Sequence, residues 1–161
     1  MSPIVRIPMT RQGFDKLKVE IDRLKGVERP KIIREVETAR AHGDLSENAE
    51  YHAAKEKLAH VNASLHDLEL KLSQAEIIDP RHVRDREKVA FGAYVTLKNP
   101  DDDSEKSYQL VGEYESDVGN GRVSITSPLA KALIGKRVDD MIHVRAPKGD
   151  TEYELVKIEY R

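Results

Sequence analysis

Residues 43–51 read Gly43-Asp44-Leu45-Ser46-Glu47-Asn48-Ala49-Glu50-Tyr51 and fall where one helical pattern stops and a second begins. The stretch therefore reads as the turn of a helical hairpin, with Asp44 and Glu47, two acids three apart, at its far end. A hairpin of this kind is a rigid rod. An acid pair carried at its tip can be delivered into a cleft in another molecule.

Working outward on the C-terminal side, the apolar positions are Tyr51, Ala54, Leu58, Val61, Leu65, Leu68, Leu72 and Ala75. They alternate by three and four residues, a continuous heptad seam. Lys55, Glu56, Lys57, His60, Asp67, Glu69 and Lys71 lie between them as a solvated face. On the N-terminal side Thr10 suits an N-cap, and Phe14, Leu17, Ile21 and Leu24 keep the same spacing. The next heptad positions, Glu28 and Lys31, are charged, so the seam slips there. It resumes in a new phase near Ile32 or Ile33, then Val36 and Ala39. Pro30 lies in the slip and lacks a backbone donor, which predicts a kink or local break. Neither helix buries its stripe alone, and a short turn at 42–45 makes them antiparallel neighbours. Arms of about 30 residues at ~1.5 Å rise predict a rod of roughly 45 Å.

Beyond Ala75 the period changes. Asp79-Pro80 ends the helix, and 79–88 reads as a charged linker. Strand-like runs follow at 93–98, 107–114, 122–126, 141–146 and 152–160, separated by Asn, Pro, Asp and Gly clusters. One short helix fits 128–134, with Ser127 as N-cap, Pro128 at its first position and Gly135 at its stop. The predicted fold class is α+β: an N-terminal antiparallel coiled-coil hairpin over 1–78, the linker, and a small antiparallel β domain with one short helix over 89–161.

Composition narrows the function. The 161 residues are 35% charged and 39% hydrophobic, with two Phe and no Trp, lean for one globular core. Twenty-seven basic residues against 29 acidic ones give a formal charge of −2. That balance offers no global electrostatic case for binding bare nucleic acid. The absence of cysteine excludes disulfides and thiolate zinc sites. No apolar run is long enough for a signal peptide or membrane span, so a cytoplasmic protein without a membrane partner is expected.

Two readings of the acid pair stand side by side. Asp44-x-x-Glu47 is a capping-box pattern, and acids in a first turn suit the helix dipole. As metal ligands the pair is incomplete, because Mg²⁺ takes six oxygens and is commonly held by one or two carboxylates plus waters and phosphates. Two exposed carboxylates bind Mg²⁺ weakly unless a partner completes the sphere, which suggests a donated half-site rather than an enzyme. His42 and His52 flank the tip without HExxH spacing and read as solvated. No nucleophile elbow, GxGxxG or P-loop is present. Arg34, Arg40, Lys55 and Lys57 lie within reach of anything held at the tip.

The 43–51 stretch, followed by His52-Ala53-Ala54-Lys55-Glu56, closely resembles the tip motif of the bacterial Gre transcript-cleavage factors. Phe91-Gly92-Ala93, Val111-Gly112 and Ser127-Pro128-Leu129-Ala130-Lys131-Ala132-Leu133-Ile134-Gly135-Lys136 are similar to that family's C-terminal domain. The resemblance covers the whole chain in order and is nearer the GreA branch than the GreB branch. It implies an FKBP-like globular domain that docks at the rim of RNA polymerase's secondary channel, through Ser127, Pro128, Leu129, Leu133 and Ile134. It also implies a finger that reaches the extruded 3′ end of backtracked RNA. Asp44 and Glu47 match the family's acids that help hold the second catalytic Mg²⁺, shared with the polymerase, while the polymerase's own site cuts the RNA. Leu45, Ser46, Asn48 and Tyr51 would support the tip, and Arg40 and Lys55 are the candidates for touching RNA. Within this architecture the alternative is an inhibitory channel-plugging paralogue, which the intact acid pair argues against. From another class, a prolyl isomerase would need an aromatic-lined pocket that Phe91 and the C-terminal tyrosines supply poorly.

Overall fold

The computed structural model describes residues 5–43 and 48–161. The chain forms two compact units: residues up to Gly13 together with Ala75–Arg161, and Phe14–Gln74.

The second unit is the hairpin. Its first arm runs α1 (Arg11–Arg23), a π-helical turn (Leu24–Glu28) and α2 (Arg29–Arg40); its second is α3 (Ala49–Gln74). Leu17, Ile21, Leu24, Ile32 and Ala39 are buried from the first arm, and Tyr51, Ala54 and Leu65 from the second. Ile32 follows Leu24 by eight residues where a heptad allows seven. The π turn absorbs that extra residue, because the Arg29 N–H reaches back five positions to the Leu24 carbonyl. The predicted break is thus a one-residue widening within a continuous helical arm. It stands directly before Pro30, whose ring would otherwise press on the carbonyl four residues back. Of the two candidates for resuming the seam, Ile32 is buried and Ile33 is 39% exposed. Lys57–Glu35 at 3.3 Å and Lys25–Glu69 link the arms on their solvated flanks. Exposed pairs of this kind contribute little, about 0–1 kcal/mol each.

The predicted seam overruns its helix by one residue, since Ala75 opens a strand. Strand β2 (Ala75–Ile77) pairs in parallel with β1 (Ile7–Met9), Ile7 opposite Ala75 and Met9 opposite Ile77. Parallel neighbours require a long crossover, and here the whole hairpin is that crossover. The compact units accordingly divide at 13/14 and 74/75, whereas the sequence pattern places the boundary at 78/79. The difference arises because both ends of the rod are extended backbone that bonds within the globular unit.

The globular unit is built on a five-stranded sheet in the order β5-β4-β3-β7-β6, with β3 (Tyr94–Lys98), β4 (Glu105–Val111), β5 (Arg122–Ser124), β6 (Met141–Ala146) and β7 (Gly149–Glu159). Three of its pairings are antiparallel as expected. The β4–β5 pairing is parallel, so the sheet is mixed. Two 3₁₀ turns, Glu113–Glu115 and Val118–Asn120, bring the chain back for that pairing. Alternation buries Val95 and Leu97 from β3 and Ile142 and Val144 from β6 on one face. Helix α4 (Pro128–Leu133) lays Ala130 and Leu133 on that core with Leu110 and Leu155. Each fully buried Leu or Ile contributes about 1.5–3 kcal/mol. The helix starts as predicted, with the Ser127 hydroxyl accepting the Ala130 N–H at 3.2 Å. It stops where Gly135 takes a φ of +86°, left-handed backbone that glycine adopts without strain.

Candidate functional site

Asp44, Leu45, Ser46 and Glu47 lie outside the described residues, so the site is defined by what flanks them. The cap of α3 is Asn48. Its Oδ1 accepts the Tyr51 N–H at 3.0 Å, and its Nδ2 donates to the Ala39 carbonyl at 2.6 Å. One side chain thus satisfies a free N–H of α3 and adds a second donor to the Ala39 carbonyl near the end of α2, which also accepts the His42 N–H at 3.2 Å. The capping role considered for Asp44-x-x-Glu47 is one that Asn48, four residues later, already fills. Sequence reading named Asn48 only as support; that Tyr51, the first residue of the seam, stands three positions after it was the available signal.

Tyr51 is buried, and the two candidate RNA-contact residues converge on it. The Lys55 Nζ lies 5.2 Å and the Arg40 guanidinium carbon 5.9 Å from its ring centre, within cation–π range. The Arg40 guanidinium holds the phenol below its ordinary value, and the Lys55 charge adds to that effect. His52 meets the same ring edge-on at 5.6 Å. Arg40, Lys55, His42 and His52 are all exposed. The first turn of α3 therefore carries a buried aromatic ring flanked by two cations that remain open to solvent. A groove of about 560 Å³ runs along the hairpin nearby, lined by Lys31, Arg34 and Lys57 together with Glu35 and Glu50. Its mixed charge sets it apart from the Arg40–Lys55 side.

Among the described residues, no three His, Asp or Glu side chains stand together as a metal site. Glu50 is exposed. The two sequence acids are hard oxygen donors suited to Mg²⁺, yet six positions must be filled. As a donor set, Asp44 and Glu47 fit half of a site.

The docking candidates divide. Ser127 and Leu129 are half-buried, Pro128 is exposed and Ile134 is 47% exposed. Leu133 is a correction: it is fully buried in the sheet core and offers no surface to a partner. Its apolar character and helical position gave no means of telling it from Ile134. Sequence reading also missed Glu115, an enclosed carboxylate bonded to residues near the chain's start. No helix among the described residues is long and apolar enough to cross a membrane.

Residues 7–77 match the family model described as transcription elongation factor, N-terminal, and residues 84–160 match that for the GreA/GreB C-terminal domain. The chain is 50% identical over 155 residues to the transcription elongation factor GreA of Alkalilimnicola ehrlichii, covering 96% of this chain and 98% of that one. The same figures hold for GreA of Thermodesulfovibrio yellowstonii. The crystal structure of GreA factor homolog 1 of Thermus thermophilus is 27% identical and covers 96% of this chain and 99% of its own, with a TM-score of 0.43.

Proposed function

Because the chain belongs to the GreA/GreB family of transcription elongation factors, we propose that it binds bacterial RNA polymerase and stimulates the polymerase's intrinsic cleavage of backtracked RNA. The globular domain docks at the rim of the secondary channel, in the cytoplasm, through the exposed side of the Ser127–Ile134 segment. The hairpin carries Asp44 and Glu47 to the extruded RNA 3′ end. The protein is not itself an enzyme; it lends carboxylates to a site that another protein completes.

The observation that most supports this reading is the Asn48 cap. With the Tyr51 N–H already accepted by Asn48, α3 has a cap that does not call on Asp44 or Glu47. They would hold Mg²⁺ together with the polymerase's own ligands, where the ion supplies the second centre of a two-metal hydrolysis. A donated pair suits an active site that must also polymerise, because the second site is then filled only when the finger is present. Arg40 and Lys55, exposed beside the Tyr51 ring, are suited to the phosphates of the extruded strand.

The test is a stalled elongation complex treated with the parent protein, Asp44→Asn or Glu47→Gln. Both substitutions keep size and hydrogen-bonding capacity. The expected result is unchanged folding and polymerase binding with most cleavage stimulation lost, and partial recovery at raised Mg²⁺ by mass action. Full stimulation by Asp44→Asn at low Mg²⁺ would overturn metal donation. A parent that binds polymerase but inhibits without promoting cleavage would identify a channel-plugging factor instead.

A further inference from the structure

Among the described residues, β6 is the last strand on its side of the sheet. The Leu155 N–H bonds the Asp140 carbonyl at 3.0 Å. Bonded and non-bonded pairs alternate along an antiparallel ladder. Ile142, Val144 and Ala146 therefore direct their N–H and C=O groups to β7, while Met141, His143 and Arg145 direct theirs outward. Three donors and three acceptors line one edge. Proline, lysine, bulges and extreme shortness are the usual ways of blunting such an edge. Strand β6 runs six residues in unbroken register and holds neither proline nor lysine, whereas the opposite edge, β5, is only three residues long. The side chains that β6 presents to solvent are Met141, His143 and Arg145. His143 Nδ1 meets Glu152 of β7 at 3.0 Å; Arg145 forms no ion pair among the described residues.

We propose that the β6 edge is a docking site that takes an extended, acidic polypeptide segment of a partner protein by strand addition. Main-chain bonds to residues 141, 143 and 145 supply the affinity, and the side chains opposite them supply the choice of sequence. Opposite charges facing one another across a ladder favour pairing, and like charges oppose it. A strand that sets Asp or Glu against His143 and Arg145 fits this edge. A second copy of the chain does not. Antiparallel pairing centred on His143 would set that residue against itself, and in-register parallel pairing would do the same to Arg145. The two cations that keep the chain from adding to itself thus select the partner. Helix α4 packs on β6, so the edge adjoins the Ser127–Ile134 segment given a docking role above, but the inference does not depend on that role.

The experiment follows amide resonances and exchange in the full-length protein as a capped peptide of alternating valine and glutamate is added, with its valine–lysine counterpart as the comparison. In the protein alone, the amides of Met141, His143 and Arg145 should exchange quickly and those of Ile142 and Val144 slowly. The glutamate peptide should slow the first three and bind about tenfold or more tightly than the lysine peptide. His143→Pro removes one outward donor and spares the β7 bonds, because an edge tolerates proline where the N–H would face solvent. It should keep the parent's thermal melt and weaken the glutamate peptide about tenfold. Arg145→Glu should reverse the preference between the two peptides, and it carries the test if His143→Pro does not fold. Equal affinity for both peptides, no binding of either at millimolar concentration, or shifts confined to residues outside 141–146 would overturn the inference. Slow exchange at the three outward amides in the protein alone would also overturn it: at every concentration it would show an edge already covered, and growing with concentration it would name a second copy as the occupant.

Discussion

Asn48 donates to the Ala39 carbonyl at 2.6 Å while accepting the Tyr51 N–H at 3.0 Å, so one side chain ties the end of one hairpin arm to the start of the other. Asn and Asp are about equally good N-caps, and at an ordinary cap the exchange is nearly silent. Here Asn48→Asp keeps the acceptor but removes the donor and sets a carboxylate against a carbonyl. The expected loss is about 1–3 kcal/mol of hairpin stability, read in chemical or thermal unfolding. Equal stability would show that the Ala39 bond does not persist in solution.

The α4 segment separates surface from core. Ile134 and Pro128 are exposed, whereas Leu133 is fully buried. Ile134→Glu and Pro128→Ala should stay within about 0.5 kcal/mol of the parent in stability and weaken polymerase binding in a competition assay. Leu133→Ala should lose about 2–5 kcal/mol. Ser127→Glu is a poorer probe, because the Ser127 hydroxyl also donates to the Ser124 carbonyl at 2.6 Å. Unimpaired binding by Ile134→Glu and Pro128→Ala together would move the docking surface elsewhere.

Tyr51 offers an optical test of the cation pair around it. The Arg40 guanidinium lowers its phenol and burial raises that of Tyr160, so in a spectrophotometric titration Tyr51 should ionise before the ordinary phenol value of about 10. Arg40→Ala should move that early phase upward. By linkage, a lowered folded-state value adds stability above the unfolded-state value and loses it as pH falls through the lowered one. The Arg40–Tyr51 contact should therefore make stability depend on pH only on the alkaline side, with no pH-linked contribution at neutrality. A titration identical in Arg40→Ala and parent would dissolve the pair.

The π turn predicts an unusual compensation. Deleting Gly26 restores seven-residue spacing between Leu24 and the residue now numbered Ile32, but it returns Pro30 to an unwidened helix, at a cost of about 3 kcal/mol. Deletion alone should lower the melting temperature. Deletion combined with Pro30→Ala should recover it. Failure of the second change to rescue the first would separate Pro30 from the π turn.

Much of this was legible in the residues because helices announce themselves by period. The seam from Tyr51 through Leu65 and the phase slip after Leu24 both survive in the structure, the slip as a π turn. The three-residue strands β1 and β2 were not legible, since they are short, parallel and separated by the entire hairpin. The parallel register of β5 on β4 likewise depends on how the 112–121 segment folds back rather than on any local pattern. At the site, Tyr51, Arg40 and Lys55 were picked individually and the structure brings them to one ring. Glu115 carried no motif, because its meaning lies in a partner 105 residues away.

The pairing of Ile7 with Ala75 and Met9 with Ile77 makes the hairpin an insertion whose two ends leave from adjacent strands, about 4.8 Å apart. Seven residues added to each arm, in phase with the seam, would lengthen the hairpin by roughly 10 Å and leave the β1–β2 pairing at its base in place. The length of the hairpin is written in heptads, and evolution or a designer can reset it without rebuilding the strands from which it leaves.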